Sequence, residues 1–319
     1  MAIRVFIQTE KFDGGPAIFR SRLISALKKY DDIKIVTNIQ DKFDIELAFI
    51  RKVFNHNKPY ILRVDGCYYE KQRARGNISL EDAILKAKHL IFQSYFSLKL
   101  CKHVLSIDNK IIKEGVDYSV IYNGIDLDYI NRIDPSKKVK DGSFVCCAGW
   151  RPNKRPISTI RGFMEADIKR HLYMIGGAGL GGGKIDRKYN SKYVHILGEK
   201  GSKETISIMK ACDYQIHLCH IDSCPNSVIE GISCGLKVLC SNLGGTRELI
   251  EGRGVVLEVD KMWKKKYLNA TDLDNISALK VAEGIRKIMD LKVGIDASDL
   301  NIKNVAKKYR KIIKRIFGG

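Results

Sequence analysis

Short apolar, β-branched runs alternate with amphipathic stretches almost from end to end of the chain. This pattern predicts strands at 3–7, 33–36, 45–49, 60–64, 90–92 and 120–122, then at 144–148, 172–175, 194–197, 214–218, 237–240 and 254–257. Between them, residues such as Phe19, Leu23, Ala26, Leu27 and Tyr30 recur at helical spacing. Strand–helix alternation of this kind predicts parallel sheets with helices on both faces. The polar segment 134–142 (DPSKKVKDG) reads as an interdomain linker. The expected organisation is therefore two doubly wound halves, 1–137 and 138–300, followed by 301–319. That last segment is a basic amphipathic helix with Val305, Tyr309, Ile312, Ile313 and Ile316 on one side. Two such halves facing each other would leave a cleft between the carboxyl ends of their strands, the place to look for chemistry.

Composition narrows the class. A chain of 319 residues is long enough for about two domains, and 45% hydrophobic residues exclude disorder as the main state. No stretch reaches the roughly 18 uncharged apolar residues of a membrane span. The opening MAIRVFIQTEKFDGG has no apolar signal-peptide core, so a soluble, cytoplasmic protein is expected, with peripheral docking at a membrane surface as a further expectation. Nine cysteines without any C-x-x-C spacing read as reduced, buried thiols rather than zinc ligands, and no metal site is expected. The net charge of +20 points to an anionic partner: a nucleotide, a phospholipid surface or nucleic acid. It is not one tail, since residues 1–140 carry 25 Lys+Arg against 17 Asp+Glu and the remainder 31 against 19. The runs KMWKKK (261–266) and KNVAKKYRKIIKR (303–315) concentrate it.

Four segments carry candidate chemistry. After the first strand, Asp13, Gly14, Gly15 and Pro16 make either a plain strand–helix turn or a helix N-terminus open to a phosphate or sugar oxygen. After the strand LYMI, GGAGLGGGK (176–184) contains a literal G-x-G-x-x-G. No amphipathic helix follows it, and Ile185 stands where a P-loop needs Ser or Thr, so it reads as a flexible glycine-rich loop near the ligand. After the strand FVCCA, GWRPNKRP (149–156) sends Gly149, Arg151 and Lys154 out together. A guanidinium fork and an ammonium suit a diphosphate, and a solvated basic turn is the plainer reading. The most specific segment is DSCPNSVIEGISCGLKVLCSNLGGTRE (222–248). It combines Asp222, a helix start at Pro225 and Asn226, Glu230 able to bridge ribose hydroxyls, backbone amides at Gly244 and Gly245, and Glu248.

With VIYNGID (120–126), these pieces make the sequence resemble the family-4 retaining glycosyltransferases of GT-B fold. CPNSVIEGISCGLKVLCSNLGGTREL stands for that family's E-x₇-E and G-G-x-x-E region. The resemblance implies a UDP- or GDP-hexose donor held mainly by the second domain and an acceptor held mainly by the first. It implies that Arg151 and Lys154 grip the diphosphate and that Glu230 holds the ribose. Asp222, Asn226, Ser227 and Val228 would lie near the donor, and the last helix would return to the first domain. No metal is implied for catalysis.

Two departures stand out. Asp222 replaces the family's usual first glutamate, and Asp65 occupies a slot where many relatives place a histidine. Asp65 is then either a polar or base contact or a strand-end partner of Arg63. For the acceptor, Tyr68, Tyr69, Arg73 and Arg75 interleave rings and charges that suit a sugar or a base. A lipid-linked glycan and a modified base of nucleic acid are both open as acceptors. Non-catalytic nucleic-acid binding and nicotinamide-dependent oxidoreduction are the competing classes.

Overall fold

The computed structural model describes residues 2–8, 14–105, 116–179, 183–259, 266–267 and 276–318. Twelve strands among them form two parallel six-stranded sheets. The first contains β1 (Ile3–Phe6), β2 (Ile33–Val36), β3 (Ile45–Phe49), β4 (Tyr60–Val64), β5 (His89–Phe92) and β6 (Asp117–Val120), in the order β2-β1-β3-β4-β5-β6. The second contains β7 (Phe144–Cys147), β8 (Leu172–Ile175), β9 (Val194–Gly198), β10 (Tyr214–His217), β11 (Lys237–Ser241) and β12 (Gly254–Leu257), in the order β12-β11-β10-β7-β8-β9. Counted within its own sheet, the second order is 6-5-4-1-2-3, that of a Rossmann half, and the first is the flavodoxin-like 2-1-3-4-5-6. Strand order therefore reverses between β1 and β3 in one unit and between β7 and β10 in the other, and ligands of such sheets bind beyond the carboxyl ends of the strands at that reversal.

One strand differs from expectation. β6 runs over Asp117–Val120 rather than 120–122. It is an edge strand whose first two residues are exposed, so its composition (DYSV) need not be apolar, and the apolar Ile121 that suggested a strand is buried just beyond its end.

The helices are α1 (Gly15–Leu27), α2 (Asn77–Lys86), α3 (Tyr95–Leu105), α4 (Leu127–Asn131) and α5 (Pro156–Glu165). They continue with α6 (Ser202–Lys210), α7 (Asn226–Ser233), α8 (Thr246–Leu249), α9 (Ala278–Asp290) and α10 (Ile302–Gly318). None of the described helices is long and apolar enough to cross a membrane. The described residues fall into two compact units. Residues 2–126, 266–267 and 299–318 form the first, and the other described residues between 127 and 298 form the second.

In the first unit α1 and α10 share one core. Phe19, Leu23 and Leu27 of α1 meet Val305, Tyr309, Ile312 and Ile313 of α10 over the apolar strands β1, β3 and β4. Burying each Ile or Val of α10 contributes roughly 1.5–3 kcal/mol, so the apolar stripe of this helix is committed to the core. Arg310 adds a fork to Asp32, with N–O distances of 2.7 and 2.6 Å. In the second unit α5 and α9 approach closely because Gly162 has no side chain; a Cβ there would lie 2.3 Å from Val281.

Phe19 sits at the centre of the first core, with ring centroids 6.4 Å from Phe49 and 6.1 Å from Tyr309. Phe19→Ala is expected to destabilise this unit by about 3–5 kcal/mol in urea denaturation. A change below about 1 kcal/mol would contradict this packing.

Candidate functional site

The reversal point of the second sheet is where the chain gathers its chemistry. Beyond β7, Trp150 is buried, Arg151 is exposed, and a short 3-10 turn (Pro152–Lys154) delivers Lys154. Arg155 then takes a left-handed conformation (φ 51°) and α5 begins at Pro156. Beyond β10 the chain runs through His217, Cys219, His220 and Ile221 to Asp222. Ile221 is also left-handed (φ 57°), a conformation that a β-branched residue adopts only when its surroundings impose it. Two hydrogen bonds tie the loops: the His220 backbone N–H donates to the Asn153 carbonyl at 2.8 Å, and the Asn153 side-chain amide donates to the His220 carbonyl at 3.2 Å. The result is an ion pair between Lys154 Nζ and Asp222 Oδ2 at 2.5 Å, with His217 Nε2 at 3.8 Å from the same oxygen.

Both partners are largely shielded, with side-chain exposures of 11% for Lys154 and 20% for Asp222, which makes the pair sensitive to its environment. Burial opposes the Lys154 charge, but the Asp222 carboxylate outweighs it and holds the ammonium above its ordinary pKa. Burial likewise tends to raise Asp222, and Lys154 with His217 overcomes that and holds it below the ordinary value. His217 is pushed down to about 4 by burial and by Lys154, against the pull of Asp222, so it is a neutral imidazole at pH 7. Burial also pushes the Cys219 thiol up to about 11. His217, Cys219 and Asp222 bring three atoms of metal-ligand type within 4.8 Å of one another, but the Lys154 ammonium already occupies the carboxylate.

After Asp222, Pro225 precedes α7, whose buried face is Val228, Ile229 and Ile232. Asn226 and Glu230 are one helical turn apart on its less buried side, both half-buried, and Ser227 lies beside them. The Ser227 carbonyl is held by the Gln215 amide of β10 at 2.9 Å, which fixes the helix start against the sheet. Gly244 and Gly245 pack against the loop that carries Asp222. The Gly245 N–H donates to the Asp222 carbonyl at 2.8 Å, and a Cβ on Gly244 (φ 143°) would lie 3.0 Å from that same oxygen. The double glycine thus lets β11 and α8 close on the Asp222 backbone, and the Gly245 amide is engaged inside the protein. Glu248 follows in α8, half-buried.

The glycine-rich segment after β8 is also firmer than a flexible loop over its described part. The Trp150 N–H donates to the Gly177 carbonyl at 2.9 Å, the Gly179 N–H to the Trp150 carbonyl at 3.0 Å, and the Trp150 ring N–H to the Gly176 carbonyl at 2.9 Å. A Cβ at Gly176 would lie 1.8 Å from the Ala148 carbonyl oxygen, so only glycine fits there, beside the GWRP turn and Gly149. Gly182 lies outside the described residues, as do Asp13 and the 261–265 part of the basic run.

In the first unit Gly14 (φ 83°) precedes α1, with Gly15 and Pro16 in the first turn. The fully buried Arg63 organises the carboxyl edge. It donates to Asp65 and Asn123, reaches Gln93 at 3.2 Å, and stacks 4.3 Å over Phe19. The Gln93 amide in turn donates to the Asp65 carbonyl. Asp65 is thus the ion-pair partner of Arg63, as one of the two sequence readings has it. Gln93 and Asn123 were not singled out from sequence; the available signal was a polar residue directly after β5 and just beyond β6. Further along, Asn77 clasps the Tyr68 backbone with two bonds of 2.9 Å, Arg73 lies 4.9 Å from the Tyr68 ring centroid, and Gly76 makes room for that ring. Tyr69 is half-buried and Arg75 exposed.

No family model matches the chain. A stretch of 128 residues is 28% identical to the N,N'-diacetylbacillosaminyl-diphospho-undecaprenol alpha-1,3-N-acetylgalactosaminyltransferase of Campylobacter jejuni, covering 40% of this chain and 32% of that protein. The matched stretch thus spans about a third of the curated relative. Over almost the whole length, the structure is similar to Anabaena HepE in complex with UDP (TM-score 0.65, 15% identity, 98% of this chain and 100% of that one). It is also similar to the sucrose-phosphate synthase of Thermosynechococcus elongatus (TM-score 0.69, 13% identity, 99% of each chain). The chain has the α/β fold of the GT-B glycosyltransferases.

His217 supplies a test of the site's electrostatics. Its folded pKa of about 4 lies below the ordinary 6.5, so the unfolded chain takes up the proton first as pH falls. Its contribution is complete above pH 6.5 and disappears as pH drops towards 4, a loss of up to about 3 kcal/mol. His217→Gln is expected to flatten the urea midpoint between pH 7 and 4.5 relative to wild type. An identical pH dependence in the two proteins would contradict a neutral His217 beside the pair.

Proposed function

We propose that the protein is a retaining glycosyltransferase of family-4 type that moves a hexose from a UDP-sugar to an acceptor hydroxyl. The observation that carries this reading is the meeting of Lys154, Asp222, the start of α7 and Glu230 at the strand reversal between β7 and β10. A nucleotide sugar needs a cation for its diphosphate, helix N–H groups for phosphate oxygens and a carboxylate for its ribose, and these groups supply all three. UDP is favoured over GDP because Anabaena HepE, which shares the fold, has been crystallised with UDP and with UDP-glucose.

In this reading Glu230 accepts from the ribose hydroxyls. Arg151, the Lys154 ammonium and the Asn226–Val228 N–H groups stabilise the diphosphate as it departs. An ammonium has three N–H bonds and Asp222 uses one, so Lys154 can hold Asp222 and a phosphate oxygen together. The anomeric C–O bond breaks towards the diphosphate, and the acceptor oxygen attacks on the face that the leaving group vacates. A departing phosphate oxygen takes the acceptor proton. The positive charge all comes from side chains and a helix start, so the reading invokes no metal. Asp222, aimed by the strained Ile221, contacts the donor sugar, and Glu248 and Gly244 border it. In the first unit Gly14 and Gly15 offer a helix start to a phosphate or sugar oxygen. Asp65, oriented by Arg63, meets the acceptor hydroxyl, and Tyr68, Tyr69, Arg73 and Arg75 flank its path. A lipid-linked glycan is the favoured acceptor, since the Campylobacter relative is named for a diphospho-undecaprenol substrate.

UDP at about 100 times its Kd is expected to raise the stability of the wild-type protein by roughly 2.7 kcal/mol in a thermal scan. Glu230→Ala loses charged hydrogen bonds to the ribose, about 1.5–3 kcal/mol, and should bind UDP at least about tenfold more weakly. Lys154→Ala should lose most transfer activity. Absence of any UDP response in wild type, or undiminished UDP affinity in Glu230→Ala, would contradict the reading.

A further inference from the structure

The C-terminal helix α10 carries seven Lys and Arg residues and no acid in its 17 residues. Its two faces are cleanly separated. Ile302, Val305, Ala306, Tyr309, Ile312 and Ile313 are buried in the first unit, while Lys303, Lys307, Lys308, Lys311, Lys314 and Arg315 are exposed on the other side. Of the acidic groups near the helix, Asp32 and Asp117 take one end of that row, and Asp299 shares the lining of the cavity beside Lys307, Lys308 and Lys311. Asp32 pairs with Arg310 and with Lys314 at 3.0 Å, and Asp117 pairs with Arg315 at 2.6 Å. Lys307, Lys308 and Lys311 have no acidic partner among the described residues, and with Lys314 they border an open cavity of about 720 Å³. Lys28 and Lys29, in the turn that brings Tyr30 and Asp32 to the helix, are exposed and extend the cationic area. At the last turn Phe317 is half exposed among these cations.

We infer that the lysine face of α10 is a docking surface for an anionic phospholipid bilayer. The inference deepens the reading above and rests on it for the lipid-linked acceptor. A helix whose apolar stripe is already buried cannot insert that stripe into lipid. It can lie against headgroups by charge alone, and a face about 25 Å long matches a flat anionic surface. Lysine point charges in a row on a convex helix give adhesion without base readout. An exposed Phe at the end of the row suits the headgroup boundary. Nucleic acid is the other polyanion such a face could hold, and stacking rings along the row, the usual companion of single-strand binding, are absent from the described residues of α10 apart from that terminal Phe.

The test is co-sedimentation of the full chain with vesicles of phosphatidylcholine, with and without about one quarter phosphatidylglycerol. Binding is expected to the anionic vesicles only, and to disappear near 1 M salt, where screening acts within about 3 Å. Each neutralised lysine should weaken partitioning roughly fivefold, so Lys307→Gln/Lys308→Gln/Lys311→Gln should lose on the order of 100-fold. These side chains are exposed and outside the donor site, so the triple variant should keep its melting temperature and its response to UDP. Phe317→Ser, a milder change at the row's end, should weaken binding severalfold. Failure of wild type to bind anionic vesicles, equal binding to neutral ones, undiminished vesicle binding by the triple variant, or a triple variant that loses duplex-DNA binding but keeps vesicle binding would overturn the docking surface. A protein that binds vesicles but ignores UDP would instead overturn the nucleotide-sugar reading, so the two failures are distinct.

Discussion

The second unit is arranged around a single shielded ion pair, Lys154 with Asp222. Removing either partner would strand a charge in a poorly hydrated place, at a cost of about 3–5 kcal/mol, and the surrounding structure is what makes the pair tolerable. The Asn153–His220 clasp, one backbone and one side-chain hydrogen bond, brings the two loops together, and the left-handed Ile221 turns Asp222 inward. The Gly244–Gly245 step then lets the next loop bind the Asp222 carbonyl. None of these devices is needed to build a parallel sheet. All of them lie beyond the carboxyl ends of β7, β10 and β11, where strand order reverses. Stability and chemistry are therefore the same problem here: the contacts that keep the pair in place also hold a cation and a helix start in a fixed relation to each other.

The first unit repeats the logic with different residues. Arg63, fully buried, is tolerated because Asp65, Gln93 and Asn123 take its N–H groups and Phe19 and Phe49 cover its face. Here too a β-branched residue in left-handed conformation, Ile50 (φ 68°), marks the carboxyl edge, and its N–H donates to the Arg63 carbonyl at 3.0 Å. Each unit thus holds a shielded cation and a left-handed isoleucine at its strand ends, and in the second unit the buried Arg155 adjoins Lys154. Phe19 links that edge to the core, since its ring touches Arg63 on one side and Tyr309 of α10 on the other.

Much of this was readable from the sequence, and for identifiable reasons. Strands buried on both faces are continuous apolar runs, so eleven of the twelve lay close to where periodicity put them. The exception, β6, is an edge strand with exposed polar residues, where that signal fails. Pro225 and the apolar spacing of Val228, Ile229 and Ile232 disclosed α7 and its buried face. What sequence could not supply was the use of each polar group. Gly244 and Gly245 looked like open amides, but the Gly245 amide binds Asp222. The 176–184 glycines looked like a loose loop, but Trp150 staples the first of them. Cys219 carries no motif, and nothing in GWRPNKRP discloses the partners of its Asn153, because these contacts join residues 66 and 67 positions apart.

The central claim is that the carboxyl edge of β7 and β10, with the start of α7, is a nucleotide diphosphate site. Hydrogen–deuterium exchange of the full chain with and without saturating UDP tests it without knowledge of sugar or acceptor. The account predicts slowed exchange in peptides covering 149–155 and 222–233. UDP protection confined to other segments, with these two unchanged, would contradict it.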